Sequence, residues 1–127
     1  MIDHTGLNVT NILISKDFYS AILAPLNYEI RLNLGDAYGF GVKISANGDD
    51  PGGDFWIMQG IPYTPRSHIA FRAASKNEVN QFYSAAMEAG AVSNGEPGYR
   101  PHYHENYYAA FILDPDGYNI EAVYHGK

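Results

Sequence analysis

The chain has 127 residues, 46% of them apolar, and a formal net charge of −6: enough for one hydrophobic core, too little for two independent domains of ordinary size. With no cysteine it offers no disulfide framework, thiolate zinc site or cysteine nucleophile. Its basic residues are scattered, which argues against nucleic acid, and no apolar run reaches the length of a membrane span or a signal-peptide core, so a soluble, cytoplasmic protein with no membrane partner is expected.

Residues 2–9 alternate as a strand, with Leu7 and Val9 on one face and His4, Gly6 and Asn8 on the other. Asn11 is placed to cap a helix whose stripe is Ile14, Phe18 and Ile22, closed by Pro25 and Asn27. Residues 28–34, 39–44 and 55–59 read as three more strands, the last two separated by the Gly/Asp/Pro-rich loop 47–53. Residues 61–66, with Pro62 and Pro65, form a linker. The strand 68–73 then turns Ile69, Phe71 and Ala73 one way and His68, Ala70 and Arg72 the other. Ser75 and Glu78 make a capping box for a helix that buries Val79, Phe82, Tyr83 and Ala86 and ends at Gly90. Residues 95–106 form a Gly/Pro/aromatic loop with room for a short strand, and 107–113 with 118–124 form a hairpin across Asp114-Pro115-Asp116-Gly117.

The chain repeats itself. His4 and Phe18-Tyr19-Ser20-Ala21 return as His68 and Phe82-Tyr83-Ser84-Ala85, a constant offset of 68 − 4 = 64, so two βαβββ modules are expected, about 1–60 and about 67–127, within one domain spanning 1–127. If the helices cover the Leu7 and Phe71 faces, then His4, Asn8, His68 and Arg72 share the opposite face with Asn119, Glu121 and Val123. Two imidazoles and one carboxylate there form a two-histidine, one-carboxylate metal set with open positions. Subtracting 64 from Glu121 lands on Ile57, so the repeat supplies only one carboxylate; Gln59 offers a weak oxygen. By the same parity Phe55 and Ile57 line the cup, while Trp56 and Met58 are core.

Four segments carry a resemblance to the vicinal oxygen chelate superfamily, which includes glyoxalase I, fosfomycin and bleomycin resistance proteins and type I extradiol dioxygenases. They are His4-Thr5-Gly6-Leu7-Asn8-Val9, the first-helix stretch from Ser15 to Tyr19, His68-Ile69-Ala70-Phe71, and Asp114-Pro115-Asp116-Gly117-Tyr118-Asn119-Ile120-Glu121. The resemblance implies an α+β fold of two paired βαβββ modules in a cup-shaped mixed sheet with helices outside. It implies a divalent metal ion (Zn, Fe, Mn or Ni) on His4, His68 and Glu121, binding vicinal oxygens of a small substrate. Ile57 departs from glyoxalase I, where a fourth, carboxylate ligand is expected, which leaves Glu121 to serve as base.

Further candidates lie in Arg100-Pro101-His102-Tyr103-His104-Glu105-Asn106-Tyr107-Tyr108. His104 is the preferred acid/base beside Glu121, and Phe55, Ile57, Arg72, His102 and Tyr107 are the substrate-binding candidates. Two functions follow: a glyoxalase/bleomycin-resistance-like metalloenzyme of lyase, transferase or dioxygenase type, or a non-catalytic, antibiotic-sequestering binding protein of the bleomycin-resistance kind. A homodimer is expected, because an open cup would otherwise leave Phe55 and Ile57 in water.

Overall fold

A computed structural model of the chain describes residues 1–43 and 48–126. Strand β1 (Thr5–Val9) leads into helix α1 (Ile12–Leu23), followed by β2 (Tyr28–Asn33), β3 (Ala37–Val42) and β4 (Phe55–Gln59). The second half repeats the order with β5 (His68–Arg72), α2 (Lys76–Glu88), β6 (Val92–Tyr99), β7 (Tyr108–Leu113) and β8 (Asn119–Tyr124). Each half is βαβββ, giving two mixed four-stranded sheets of order β1-β4-β3-β2 and β5-β8-β7-β6. The fold is a cup-shaped α+β arrangement in which the sheets do not close into one barrel.

Capping fixes both helices. Asn11 Oδ1 accepts from the backbone N–H groups of Leu13 and Ile14, both at 3.1 Å. Ser75 Oγ accepts from Glu78 N at 3.1 Å, and Glu78 Oε1 reaches back to accept from Ala74 N, one residue before the cap, at 2.9 Å, a shifted form of the capping box. Gly90, at φ 87°, ends α2 in the left-handed conformation that favours glycine. In α1 the buried stripe is Ser15, Phe18, Tyr19, Ile22 and Leu23. Ile14, expected on that stripe, is exposed; spacing of three and four residues from Phe18 and Tyr19 puts Ser15 there instead. The eight-residue strand β6 starts at Val92, ahead of the 95–106 stretch read mainly as loop, and runs into it as far as Tyr99. The end of the predicted 39–44 strand, Ile44, and the start of the 47–53 loop, Asn47, lie outside the described residues.

The two sheets share one core built from the helix-facing side of each, including Leu7, Val9, Phe55 and Ile57 from the first and Phe71, Ile112, Ile120 and Ala122 from the second. Phe71 of β5 packs edge-on against Phe55 of β4 (centroids 5.1 Å) and Tyr28 of β2 (5.6 Å). A residue that reaches two strands separated by β3 lies across the helix side of the first sheet, not beside its edge. The helix-free face of each sheet therefore opens away from the shared core. Polar contacts pin this arrangement: Tyr19 OH donates to Asp114 Oδ2 at 2.5 Å, Tyr118 OH to the Asn8 carbonyl at 2.7 Å, and Tyr63 N to Tyr118 Oη at 2.8 Å.

Candidate functional site

On the helix-free face of the second sheet, β5 and β8 run parallel with Ala70 beside Glu121 and His68 beside Asn119. Glu121 is only 2% exposed, and both carboxylate oxygens are occupied. Oε1 lies 3.0 Å from His68 Nε2, and Oε2 accepts from Tyr107 OH. His68 Nδ1 lies 2.9 Å from the Asn119 carbonyl, which can only accept, so Nδ1 carries a proton. With Nδ1 held by that carbonyl, Nε2 is the nitrogen presented to Glu121 Oε1, and a hydrogen bond from Nδ1 to a carbonyl is the usual support of a ligating histidine. Burial and the neighbouring Glu121 push the Tyr107 hydroxyl well above its ordinary value, so it stays protonated and acts as a donor. Phe111, in register with Glu121, stacks beneath the His68 ring at 6.2 Å.

His4 sits on the helix-free face of the other sheet. Its Nδ1 lies 2.7 Å from Asp3 Oδ1 and 3.8 Å from Asp50 Oδ2, and the Asp3 hydrogen bond, ahead of the charges of Asp3 and Asp50, raises its pKa. Like His68, it engages Nδ1 with an oxygen. Among the described residues, Asp3, His4 and Asp50 are the one group of three whose possible ligand atoms lie within 4.8 Å of one another. Within one chain, then, the structure brings His68 and Glu121 together and leaves His4 apart from them.

The parity assigned to β4 is corrected. Thr5 pairs with Phe55, Gly6 with Trp56 and Leu7 with Ile57, and parallel partners share a face. Phe55 and Ile57 are therefore core residues, 1% and 0% exposed; they do not line the cup. Trp56 and Met58, read as core, line instead the helix-free face with His4, Gly6, Asp50 and Tyr63, around a hollow of about 440 Å³. The counterpart of Glu121 is Trp56, since Gly6 corresponds to Ala70 and their partners are Trp56 and Glu121. The offset in this strand is 121 − 56 = 65. The indole lies against Gly39, where a Cβ would come within 2.7 Å of the ring and 2.0 Å of the Gly52 carbonyl oxygen.

The other candidates fall at three distances from Glu121. Tyr107 touches it. His102 lines a groove with Asn94, Arg100, Tyr103, Phe111 and Asn119. His104 stands one residue further out: its ring meets Tyr107 at 5.2 Å, and its Nε2 lies 2.9 Å from His125 Nδ1. Arg72, at the end of β5, lines a separate hollow with Tyr28, Asp54 and His68. Sequence reasoning missed Asp3, which holds His4; it placed Asn119, whose backbone carbonyl meets His68, on the shared face and Arg100 in the candidate segment without giving either a role.

The model of one protein family, the glyoxalase/bleomycin resistance protein/dioxygenase superfamily, matches residues 1–122. The chain belongs to this superfamily. A glyoxalase/bleomycin resistance protein from Albidiferax ferrireducens shares 28% identity over 96% of this chain and 97% of its own, with a TM-score of 0.79. A putative glyoxalase from Bacillus halodurans shares 22% over 98% and 95%, TM-score 0.70. A mutant of FosX, a fosfomycin resistance protein of Listeria monocytogenes solved with Mn(II) and a dihydroxypropylphosphonic acid, shares 20% over 99% and 89%, TM-score 0.69. Comparison with curated proteins gives no match. Superfamily membership accounts for the duplicated βαβββ plan, and no helix among the described residues is long and apolar enough to cross a membrane.

Proposed function

We propose that the protein is a cytoplasmic homodimeric metalloenzyme acting on a small molecule with adjacent oxygens, each site formed by His68 and Glu121 of one chain and His4 of the other. What carries the reading is the pair of repeat-related histidines. Both engage Nδ1 with an oxygen, at 2.7 and 2.9 Å, and so offer Nε2; one of them already faces a buried carboxylate at 3.0 Å. A nitrogen and oxygen donor set of this kind suits Zn, Fe, Mn or Ni, and Mn(II) is the ion with which the FosX neighbour was solved. When bound, the cation would polarise adjacent substrate oxygens as a Lewis acid. Tyr107 then holds Glu121 Oε2, His102 borders the substrate groove and Arg72 its neighbour, and His104 moves protons at the Tyr107 end. A second reading, a binding protein that sequesters an antibiotic without catalysis, is favoured by Trp56 in the place of a fourth ligand.

Mixing two inactive variants tests the shared site. His4→Ala and His68→Ala homodimers should each lose metal. Co-refolded, about half of the dimers are mixed and each mixed dimer carries one intact site, so about a quarter of the parent's metal content should return. A mixture that binds no more metal than its components rules the shared site out.

A further inference from the structure

The groove beside His68 contains a cation without an anion. Arg100 is half-buried, and both terminal nitrogens are pinned: Nη1 donates to the Gly98 carbonyl at 2.9 Å and Nη2 to the Glu96 carbonyl at 2.8 Å. Its backbone is fixed as well, with Arg100 N donating to Tyr107 O at 2.7 Å and Tyr103 N to Arg100 O at 3.0 Å. The guanidinium stacks on Phe111, Cζ 5.3 Å from the ring centroid, and Phe111 is the ring that also carries His68. Glycines make the seat: a Cβ at Gly95 would come within 3.0 Å of Nη2, and one at Gly98 within 3.2 Å of Nη1. Among the described residues no carboxylate lies within 4.0 Å of this side chain, in a chain with 14 acidic and 8 basic residues.

A bracing arginine needs no such isolation from carboxylates, and a half-buried guanidinium that meets only neutral carbonyls keeps its full charge. Among the described residues its remaining N–H groups have no protein acceptor, and Arg100 borders a groove of about 350 Å³ lined also by Asn94, His102, Tyr103, Phe111 and Asn119. Planar, pre-organised N–H donors of this type match the paired oxygens of a carboxylate, phosphate or phosphonate. Asn94, already bonded to Asn119 at 3.2 Å, and His102 supply further polar edges. We infer that Arg100 is an oxyanion subsite, so that the substrate carries an anionic group on the Phe111 side of His68 and Glu121. The inference rests on this face being the substrate face, as proposed above, but not on metal.

The test uses inorganic phosphate as probe, with the metal chelated, titrated into the full chain and followed by the arginine Nε–H and backbone amide resonances. Saturable shifts centred on Asn94, Arg100 and Phe111 are expected. Arg100→Gln should weaken the binding about tenfold, the scale of one lost charge-assisted hydrogen bond, and Arg100→Lys less, since it keeps the charge without the fork. His68→Ala should leave phosphate binding unchanged while abolishing metal uptake, which separates this subsite from the metal reading. Phosphate shifts centred on Arg72 or absent from the groove overturn the proposal, as does an Arg100→Gln protein that binds phosphate like the parent. Should Arg100→Gln fail to fold, the position of the shifts in the parent decides alone.

Discussion

Two Asp-Pro turns show how the halves diverged. Asp50-Pro51-Gly52-Gly53 and Asp114-Pro115-Asp116-Gly117 stand 64 residues apart and are built alike. In each, the Asp carbonyl accepts from the glycine three residues on, at 3.0 and 2.9 Å, and Asp Oδ1 accepts from the N–H two residues on, at 2.8 and 2.9 Å. The strands that follow are registered at an offset of 65, so the second module holds one more residue between turn and strand, and that residue is Tyr118. It is fully buried and ties the modules together. One residue inverts a strand's faces, so the position three places before the end of β4 presents Trp56 to the open face where β8 presents Glu121. The turn carboxylates diverged with it: Asp50 Oδ2 points toward His4, Asp114 Oδ2 into the core against Tyr19. One half carries the carboxylate and the other Trp56 in its place, the asymmetry behind the proposed site shared between two copies.

The two halves differ most sharply at position 57. Ile57→Glu puts a carboxylate in a fully buried core site, a cost large beside the 5–15 kcal/mol that typically stabilises a whole domain. The expected outcome is loss of the cooperative melt, with no recovery on adding a divalent cation. Trp56→Glu places the same group on the open face opposite Glu121, and its melting temperature should rise with metal by more than the parent's does. Metal rescue of Ile57→Glu, or none for Trp56→Glu, would show the register of β4 to be wrong.

The same residue explains what sequence could and could not convey. Alternation and capping residues located both helices and most strands, and the repeat located His68, Glu121 and their shared face. Parity counted across a loop failed, because an insertion of one residue leaves no mark in composition while reversing Phe55, Trp56, Ile57 and Met58 together. β6 was obscured by Gly95, Pro97 and Gly98, at irregularities in its pairing with β7, where glycine and proline read as loop. The separation of His4 from His68 depends on which faces share the core, a tertiary choice that local periodicity does not encode.

The junction between the halves gives the next effect in size. Asp114→Ala removes the acceptor of two backbone N–H groups and of the buried Tyr19 hydroxyl, which should cost about 2–4 kcal/mol in a denaturant melt. The turn around Asp50, being half-exposed, should tolerate the same change far better. Burial holds the Asp114 carboxyl above the ordinary carboxylate range. The folded chain therefore takes up this proton at a higher pH than the unfolded chain, and the group's contribution to stability rises as pH falls through the raised value. Against Asp114→Asn, which cannot titrate, the parent should gain ground in melting temperature between about pH 7 and about pH 4. A constant difference over that range would mean that Asp114 is solvated.

A milder change is expected at the hydroxyl that meets the carboxylate itself. Tyr107 has no role in the fold's shared core; its hydroxyl meets Glu121 Oε2 while His68 meets Oε1. Tyr107→Phe keeps the ring and its contacts with Tyr103, His104 and His125 but leaves Oε2 free to swing. If Tyr107 serves to hold the ligand oxygen, metal affinity should fall about tenfold, the lower end of what supporting partners of metal ligands contribute, with little change in the metal-free melting temperature. Imidazole and carboxylate ligands bind a cation in their deprotonated forms, so affinity in parent and variant alike should weaken as pH falls. A variant with unchanged metal affinity and a changed response to small-molecule ligands would instead make Tyr107 a substrate contact. A fall in metal-free stability larger than the fall in metal binding would make it a structural cover for Glu121. Titrating metal and temperature on the same sample separates the three.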